Sequence, residues 1–290
     1  MKLSGKAVAY GAVTVINAIS CGLGAALGVS LRTEASVELT NQPRQIEGRI
    51  LSDPQESTIL IEKTVTQVLK HFGVEEEYGA YVETRSNIPI ARGLKSSSAA
   101  ANAIALAVIA ALGEEVDDIT VVNLGVDAAM EAGVTITGAF DDASASYFGG
   151  LVMTDNRERK ILRHIQIEEH HPVLIYVPPE KAYTAKSNVE RMKLIADEVK
   201  ALHQMAYSGD YWPAMTLNGI IYSTVLGYDA EVAIEALAAG ALAAGLSGTG
   251  PAVAAVVPEE KVEEVKKAWR KHGGSVIETR INSEKSHILG

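Results

Sequence analysis

A glycine-bearing loop that runs through three consecutive serines into an alanine-rich segment is the part of this sequence best suited to hold an anion. Residues Pro89 to Ala99 read PIARGLKSSSA, and the alanine-rich segment continues to Leu112. This composition predicts a helix from about Ser96 to Leu112, with Gly113 as its stop. The start of such a helix presents unpaired backbone N–H groups and the positive end of the helix dipole, which favours phosphate.

The charges around the serines also favour an anion site. Arg92 and Lys95 lie in the loop, and no acidic residue occurs between Glu83 and Glu114. A serine that only caps the helix is the alternative, but a cap needs one serine and the sequence supplies three. We therefore expect phosphate binding here, without a Walker loop, since GxxxxGK[ST] is absent from the chain.

A second glycine-rich segment lies near the C-terminus. Residues Gly245 to Pro251 read GLSGTGP, between an alanine-rich segment and an apolar run. Its backbone is able to approach a ligand or another loop closely. A scaffold turn is the alternative, but a plain turn rarely requires three Gly together with Ser and Thr, so we favour a ligand-facing role.

Three acidic residues are candidates for catalysis or metal binding. Asp141 and Asp142 lie in a segment of small residues, predicted as a loop from Gly138 to Ala143 after a strand. Neighbours in extended chain point in opposite directions, so we expect at most one of them to face a site, and an Asx turn is the alternative. Glu131 lies near the end of a predicted helix, where the dipole disfavours an anion, which suggests a task such as metal coordination.

Composition excludes several classes of partner. The chain has 290 residues with 26 Lys and Arg against 36 Asp and Glu, a net charge of −10, and only 5% aromatic residues, so we expect no nucleic acid. The single cysteine, Cys21, excludes an intrachain disulfide and suits a reducing cytoplasm. The most apolar stretch after the N-terminus, Ala99 to Leu112, is shorter than the roughly 20 residues that span a bilayer, so we expect no membrane contact.

The order of predicted elements indicates an α+β fold in two domains. Helical and extended segments mingle without regular βαβ units. The polar stretch from Thr154 to Lys160 is the predicted boundary, which separates residues 1–155, with the phosphate loop, from residues 156–290.

Several motifs taken in order resemble the GHMP kinases of small metabolites. They are Gly5-Lys6 in a first strand, the Pro89 loop, the Asp141 segment and the C-terminal SGTGP turn. The run from Thr135 to Asn156, TITGAFDDASASYFGGLVMTDN, is similar to the archaeal-type shikimate kinases of that superfamily. The Gly-Glu-His of sugar and mevalonate kinases is absent, because Gly11 is followed by Ala12 and Val13, which argues against those substrates.

The resemblance implies a two-domain GHMP kinase fold, with an N-terminal domain like ribosomal protein S5 domain 2 and a ferredoxin-like C-terminal domain. It implies ATP and Mg²⁺, and transfer of the γ-phosphoryl group to the 3-hydroxyl of shikimate in aromatic amino-acid biosynthesis. A homodimer is left open. The alternatives are a homoserine kinase, another small-alcohol kinase, or a non-catalytic nucleotide-binding protein of the same fold.

The resemblance also implies residue roles. The residues assigned to the nucleotide are Pro89, Arg92, Gly93, Leu94, Lys95, Ser96, Ser97, Ser98, Ala99, Gly248, Thr249 and Gly250. Asp141 matches the catalytic aspartate and Lys6 its lysine partner, although by the residues alone Lys6 is an ordinary surface lysine. Ser97 and Glu131 match magnesium ligands.

Substrate binding is assigned by the resemblance and by the chemistry of shikimate. Asn17 and Asp142 are the expected contacts to the substrate. A carboxylate requires a basic side chain, for which Arg191, Lys186 and Arg92 are candidates between which the sequence does not choose.

Overall fold

Two sheets carry the fold, one of seven strands and one of four, in a computed structural model that describes residues 3–169, 171–179 and 188–290. The strands are β1 (Ser4–Ile16), β2 (Leu23–Thr40), β3 (Ile46–Ile50), β4 (Gly79–Ser86), β5 (Leu151–Asp155), β6 (Lys160–Ile165), β7 (Pro172–Val177), β8 (Ala243–Leu246), β9 (Val253–Val256), β10 (Ser275–Arg280) and β11 (His287–Leu289). The helices are α1 (Ile59–His71), α2 (Ser96–Leu112), α3 (Asp118–Glu131), α4 (Phe140–Phe148), α5 (Val189–Lys193), α6 (Ala196–Tyr207), α7 (Tyr211–Leu226), α8 (Glu231–Ala238) and α9 (Val262–Trp269). Within the described ranges, none of these helices is both long and apolar enough to cross a bilayer.

The seven-stranded sheet is built on a long antiparallel pair, β1 and β2. Its order is β11-β1-β2-β4-β3, and β5 lies beside the first half of β2 with β6 outside it. The second half of β1 is buried on both faces, because α4 of this domain and α7 of the other domain both pack against β1. The end of β1 therefore lies between the two domains.

Helix α2 is the central helix of the first domain, and its bounds are those predicted from the sequence. It is apolar around most of its circumference because β1, α1 and α3 all pack against it. A Cβ at Gly5 of β1 would lie 2.1 Å from the carbonyl oxygen of Ala107, so the strand and the helix touch backbone to backbone there.

The second domain has a wholly antiparallel sheet in the order β10-β7-β9-β8. The buried Trp269 of α9 anchors its outer layer, and the indole N–H donates to the carbonyl oxygen of Val232 at 2.7 Å. The alanine-rich segment before the second glycine-rich turn is helical only as far as Ala238. Gly240 then has a φ of +103°, and the following residues pair as β8 with β9.

The boundary predicted between residues 155 and 156 falls too early. β6 continues the seven-stranded sheet beside β5, so the first domain extends to Ile165. The chain also returns to this domain at its end, where β11 pairs with β1. Local polarity could not reveal either feature, because strand pairing decides to which sheet a short segment belongs.

The segment around the aspartate pair also differs from expectation. Residues 134–137 are not a strand, and Asp141 and Asp142 lie in the first turn of helix α4 instead of an extended loop. Adjacent residues in a helix are separated by about 100° around the axis, so both side chains are able to face the same region. The expectation that only one would face a site was wrong.

Hydrogen bonds join the two domains beside the end of β1. The backbone N–H of Asn17 donates to Asn218 Oδ1 at 3.1 Å, and the Tyr222 hydroxyl donates to the carbonyl oxygen of Asn17 at 3.1 Å. Both partners belong to α7 and are buried. Helix α7 therefore fixes the turn after β1, which forms one wall of the cavity described below.

His203 of α6 lies in the same contact between the domains and has 4% of its surface exposed. Burial lowers the pKa of His203, and a hydrogen bond with the Gly24 backbone opposes that shift. Its Nε2 atom has no hydrogen-bond partner among the described residues. The folded protein thus favours the neutral imidazole.

We expect His203 to make the protein less stable in mild acid. In the unfolded chain His203 binds a proton near the ordinary histidine pKa of about 6.5, whereas in the folded protein its pKa is lower. The contribution of neutral His203 to stability is therefore complete above that pH and is lost as the pH falls below it. Urea denaturation should show that the free energy of unfolding falls between pH 7.5 and pH 5.5. This fall should be smaller by up to about 1 kcal/mol in His203→Gln than in the unsubstituted protein. Substitution of the exposed His71 by Gln is the control, and equal losses in both variants would contradict the assignment.

Candidate active site

A cavity of about 220 Å³ lies where the end of β1, the start of α2, the start of α4 and the second glycine-rich turn meet. Thr14 and Asn17 line it from β1 and the turn that follows, and Gly248 and Thr249 line it from the second domain. The cavity is therefore shared by both domains. Most of the polar candidates from the sequence are found on its wall.

The three serines lie on this wall at the start of α2. The first helical hydrogen bond runs from Ala99 N–H to the carbonyl oxygen of Lys95 at 3.0 Å, so the N–H groups of Ser96, Ser97 and Ser98 precede the helical ladder. The helix has neither a side-chain cap nor an acidic residue in its first turn. The helix start thus presents three N–H groups and three hydroxyls with no competing anion.

The second glycine-rich turn is both a scaffold and part of the wall. The buried Ser247 hydroxyl donates to the carbonyl oxygen of Gly93 at 2.7 Å and accepts from the N–H of Thr14 at 3.1 Å. The N–H of Gly248 donates to Thr14 Oγ1 at 2.8 Å. The two roles considered for this turn are therefore compatible, since its hydrogen bonds hold the Pro89 loop while Gly248 lines the cavity.

Four residues assigned to the nucleotide do not line the cavity: Pro89, Arg92, Ala99 and Gly250. Arg92 binds the second domain instead. Its Nη2 donates to the carbonyl oxygen of Pro179 at 2.7 Å, and its own carbonyl oxygen accepts from Ala252 N–H at 3.3 Å. The structure gives Arg92 the role of holding the loop.

Both aspartates line the same cavity as the serines. Asp141 has only 4% of its surface exposed, and the side chain of Asn156 holds it. Asn156 Nδ2 donates to Asp141 Oδ1 at 2.7 Å, and Asn156 Oδ1 accepts from the Asp141 backbone N–H at 3.1 Å. Asn156 was not among the predicted site residues, although it ends the segment that carries the family resemblance.

The cation that faces the aspartates is Lys95, not Lys6. Lys95 Nζ lies 3.0 Å from Asp142 Oδ1, with 8% and 15% of the two side chains exposed. Burial raises the pKa of Asp141, while Lys95 and the Asn156 hydrogen bond lower it. Burial and the charge of Asp141 raise the pKa of Asp142 to about 7, against the effect of Lys95. The ammonium of Lys95 thus lowers the pKa of both adjacent carboxyl groups.

Lys6 is exposed at the far end of β1, where it pairs with Ser36 and Leu289. Thr14 reaches the cavity eight residues later, and a strand rises about 3.3 Å per residue, so Lys6 lies about 26 Å from that point. The structure therefore does not bring Lys6 to Asp141. The length of β1 is the reason, and the sequence had not revealed it.

Glu131 and Arg191 are also outside the cavity. Glu131 is exposed at the end of α3 and accepts a hydrogen bond from Gln67 of α1. Arg191 is exposed on α5, and Asn188 caps that helix by accepting from the Arg191 N–H at 3.0 Å. Lys186, the other basic candidate, lies outside the described residues.

Asn17 lines the cavity but its side chain already has partners. Nδ2 donates to the carbonyl oxygen of Gly248 at 2.9 Å, and Oδ1 accepts from the Ile19 N–H at 3.0 Å. The amide thus holds the glycine-rich turn against the end of β1. A contact with substrate would use the second hydrogen of Nδ2.

Sequence reasoning missed the apolar part of the wall. It is formed by Ile50, Ile59, Leu60, Val134 and Ile136, which come from β3, α1 and the loop before α4. These side chains are far apart in the sequence and carry no shared motif. The cavity therefore combines a polar end, with serines and aspartates, and an apolar end.

The donors of the polar end fit Mg²⁺ held partly by phosphate. Among the described residues there is no group of three or more His, Cys, Asp or Glu side chains that would form a complete metal site. Mg²⁺ in kinases is usually held by one or two protein oxygens together with substrate phosphates. Ser97, Asp141 and Asp142 supply hydroxyl and carboxylate oxygens on the same cavity wall.

Comparisons with known proteins agree with this arrangement. Family models for the N-terminal and C-terminal domains of GHMP kinases match residues 60–150 and 198–275. A shikimate kinase of Methanosarcina mazei is 48% identical over 98% of this chain and 96% of its own. The chain belongs to the GHMP kinases. Another relative of this GHMP kinase, the shikimate kinase of Methanothermobacter thermautotrophicus, is 44% identical over 96% of both chains.

Solved structures confirm the two-domain GHMP kinase fold. A homoserine kinase of Cytophaga hutchinsonii superimposes with a TM-score of 0.78 at 19% identity, over 100% of this chain and 98% of its own. The mevalonate kinase of Methanococcus jannaschii gives a TM-score of 0.77 at 18% identity, over 96% of this chain and 98% of its own. The family resemblance read from the motifs and the predicted fold class are thus both correct. This GHMP kinase is an ATP-dependent enzyme for a small molecule.

We expect Lys6→Met and Glu131→Gln to leave the kinase reaction unchanged, because both side chains are exposed and remote from the cavity. The measurements are kcat and the Mg²⁺ concentration that gives half-maximal rate. A lower kcat in the Lys6 variant, or a higher Mg²⁺ requirement in the Glu131 variant, would restore the roles that the family resemblance implied.

Proposed function

We propose that this protein is a shikimate kinase that transfers the γ-phosphoryl group of ATP to the 3-hydroxyl of shikimate. The observation that carries the proposal is the set of relatives described as shikimate kinases, which are 40–48% identical over nearly the whole chain. The cavity supports it, since the start of α2 and the aspartate pair both line it. The product would serve aromatic amino-acid biosynthesis.

The start of α2 is suited to the triphosphate. Ser96, Ser97 and Ser98 offer N–H groups and hydroxyls, and the helix dipole adds positive potential. The turn at Gly248 and Thr249 would close over the phosphates from the second domain. The apolar end of the cavity suits the planar adenine, which buries apolar surface without requiring a charged partner.

Asp141 is our candidate for the proton acceptor. The substrate hydroxyl would pass its proton to the Asp141 carboxylate as the oxygen forms a bond to the γ-phosphorus, and the bond from that phosphorus to the bridging oxygen breaks to release ADP. Asn156 Nδ2 donates to the carboxylate and holds its orientation, while Asn156 Oδ1 accepts from the Asp141 backbone N–H. Burial raises the pKa of Asp141, which makes its carboxylate a stronger base.

Bound Mg²⁺ would neutralise phosphate charge, with Ser97 and a carboxylate of the aspartate pair as the protein oxygens that would hold it. Asn17 and Asp142 are the candidate contacts to the substrate. Arg191 stays a candidate for the substrate carboxylate only if α5 moves, because it is exposed and outside the cavity wall.

We expect ADP release from ATP and Mg²⁺ with shikimate as acceptor, and none above the blank with homoserine, mevalonate or galactose. Turnover of another acceptor in place of shikimate would refute the substrate and keep the kinase. Because the acceptors differ in both carboxylate and hydroxyl arrangement, the panel separates the alternatives in one assay.

Asp141→Asn should keep nucleotide binding and lower kcat by about 10²-fold or more, the usual size of a general-base contribution. The control is Asp197→Asn, an exposed aspartate of α6 that is paired with Lys200. Near-normal turnover of Asp141→Asn would remove Asp141 from the mechanism.

We also propose a cytoplasmic location, where ATP is available and where the free, buried Cys21 would stay reduced. The partners are then ATP and shikimate. A homodimer, without nucleic acid or membrane contacts, is the assembly to test by sedimentation of the purified chain.

A further inference from the structure

Lys95 occupies a position that is unfavourable for a lysine in three respects. Its backbone is left-handed, with a φ of +62°, although it is not glycine. It precedes the first turn of α2, where the helix dipole repels a cation. Its side chain is also almost wholly buried. Unfavourable backbone conformations and buried charges of this kind are typical of residues that a functional site requires.

The ammonium of Lys95 is enclosed by elements of both domains. A Cβ at Gly248 would lie 2.9 Å from Lys95 Nζ, so the ammonium lies close to the backbone of the turn. On the other side Nζ lies 3.0 Å from Asp142 Oδ1. Lys95 thus lies between the turn expected to cover the phosphates and the aspartate pair.

The pairing with Asp142 is close but incomplete. Asp142 Oδ1 is buried and has no hydrogen-bond partner with proper geometry among the described residues, although Lys95 Nζ is within ion-pair distance. A buried ion pair offsets the cost of desolvation only when hydrogen bonds are well aligned. The contact is therefore one that the lysine is able to exchange for a better anion.

The cavity contains no other candidate cation among the residues described. Lys6 is remote and Arg92 binds Pro179, which leaves Lys95 as the basic side chain of the wall. Phosphoryl transfer requires positive charge near the equatorial oxygens of the transferring group. Lys95 is on the same wall as Ser96 and is two residues past the clamped Gly93.

We propose that Lys95 is the catalytic cation of this enzyme and that its ammonium exchanges the carboxylate of Asp142 for the γ-phosphoryl group of ATP. Lys95 is paired with an anion before and after this exchange. The released Asp142 side chain then forms a hydrogen bond with a hydroxyl of the acceptor. The inference rests on the proposed kinase reaction and gives the role expected of Lys6 to a residue of the phosphate loop.

The test compares Lys95→Met, which removes the charge at similar length, with Lys95→Arg, which retains it. Lys95→Met should lower kcat by about 10²-fold or more, because one preorganised donor to the transition state is lost. Lys95→Arg should recover part of that loss. Lys70→Met, at an exposed lysine of α1, is the control for the general effect of charge.

Binding gives a readout that is independent of turnover. Calorimetry should show that Lys95→Met binds a non-hydrolysable ATP analogue about tenfold more weakly, as expected for one lost charge-assisted hydrogen bond, and binds ADP unchanged. Equal weakening for both nucleotides, or a higher KM for ATP with normal kcat, would overturn the proposal. If the unsubstituted protein fails to phosphorylate shikimate, the substrate is wrong, whereas the difference between the two nucleotides still tests Lys95.

Lys95→Met leaves Asp142 without its partner and could fold poorly. Lys95→Met with Asp142→Asn removes both charges together, and circular dichroism should show the native fold. We expect this double variant to lack turnover and still to bind ADP. A double variant with near-normal kcat would show that the ion pair is only structural.

Discussion

The hydrogen bonds of the Ser247 hydroxyl fix the position of the cavity. This one buried group donates to the carbonyl oxygen of Gly93 and accepts from the N–H of Thr14, so it ties the second domain to both the phosphate loop and β1. A buried hydroxyl without partners would cost about 1–3 kcal/mol, which makes the three segments dependent on one another. The contact joins the loop that leads into α2 to the turn whose Gly248 lies beside Lys95.

The charged groups of the cavity come from different elements, so their contacts depend on how those elements are held together. Asp141 and Asp142 lie in the first turn of α4, where the helix dipole favours anions, whereas Lys95 lies where the dipole of α2 disfavours a cation. Lys95 lowers the pKa values of both carboxyl groups, against the effect of their burial. Any change that separates α2 from α4 would therefore break the ion pair between Lys95 and Asp142. No shared motif in the sequence indicates that the two helices are close.

Some residues of the cavity were predictable from the sequence and others were not, and the difference has physical reasons. The bounds of α2 followed from local composition and from Gly113, and the serines were found where the sequence placed them, on the cavity wall. Lys6 and Glu131 matched family positions, but the direction and distance of a side chain depend on strand length and on neighbouring helices, which are not local properties. The Lys95 pairing and the apolar wall arise from contacts between distant segments, so no local pattern indicates them.

The pairing of β11 with β1 has a consequence for biosynthesis. The seven-stranded sheet receives this strand from residues 287–289, after the whole second domain, and Lys285 anchors the same segment to Asp118 of α3. On the ribosome, the first domain therefore emerges more than 120 residues before its sheet is complete. During that interval the edge of β1 lacks its partner strand, and an unpaired strand edge is a place where another chain is able to pair.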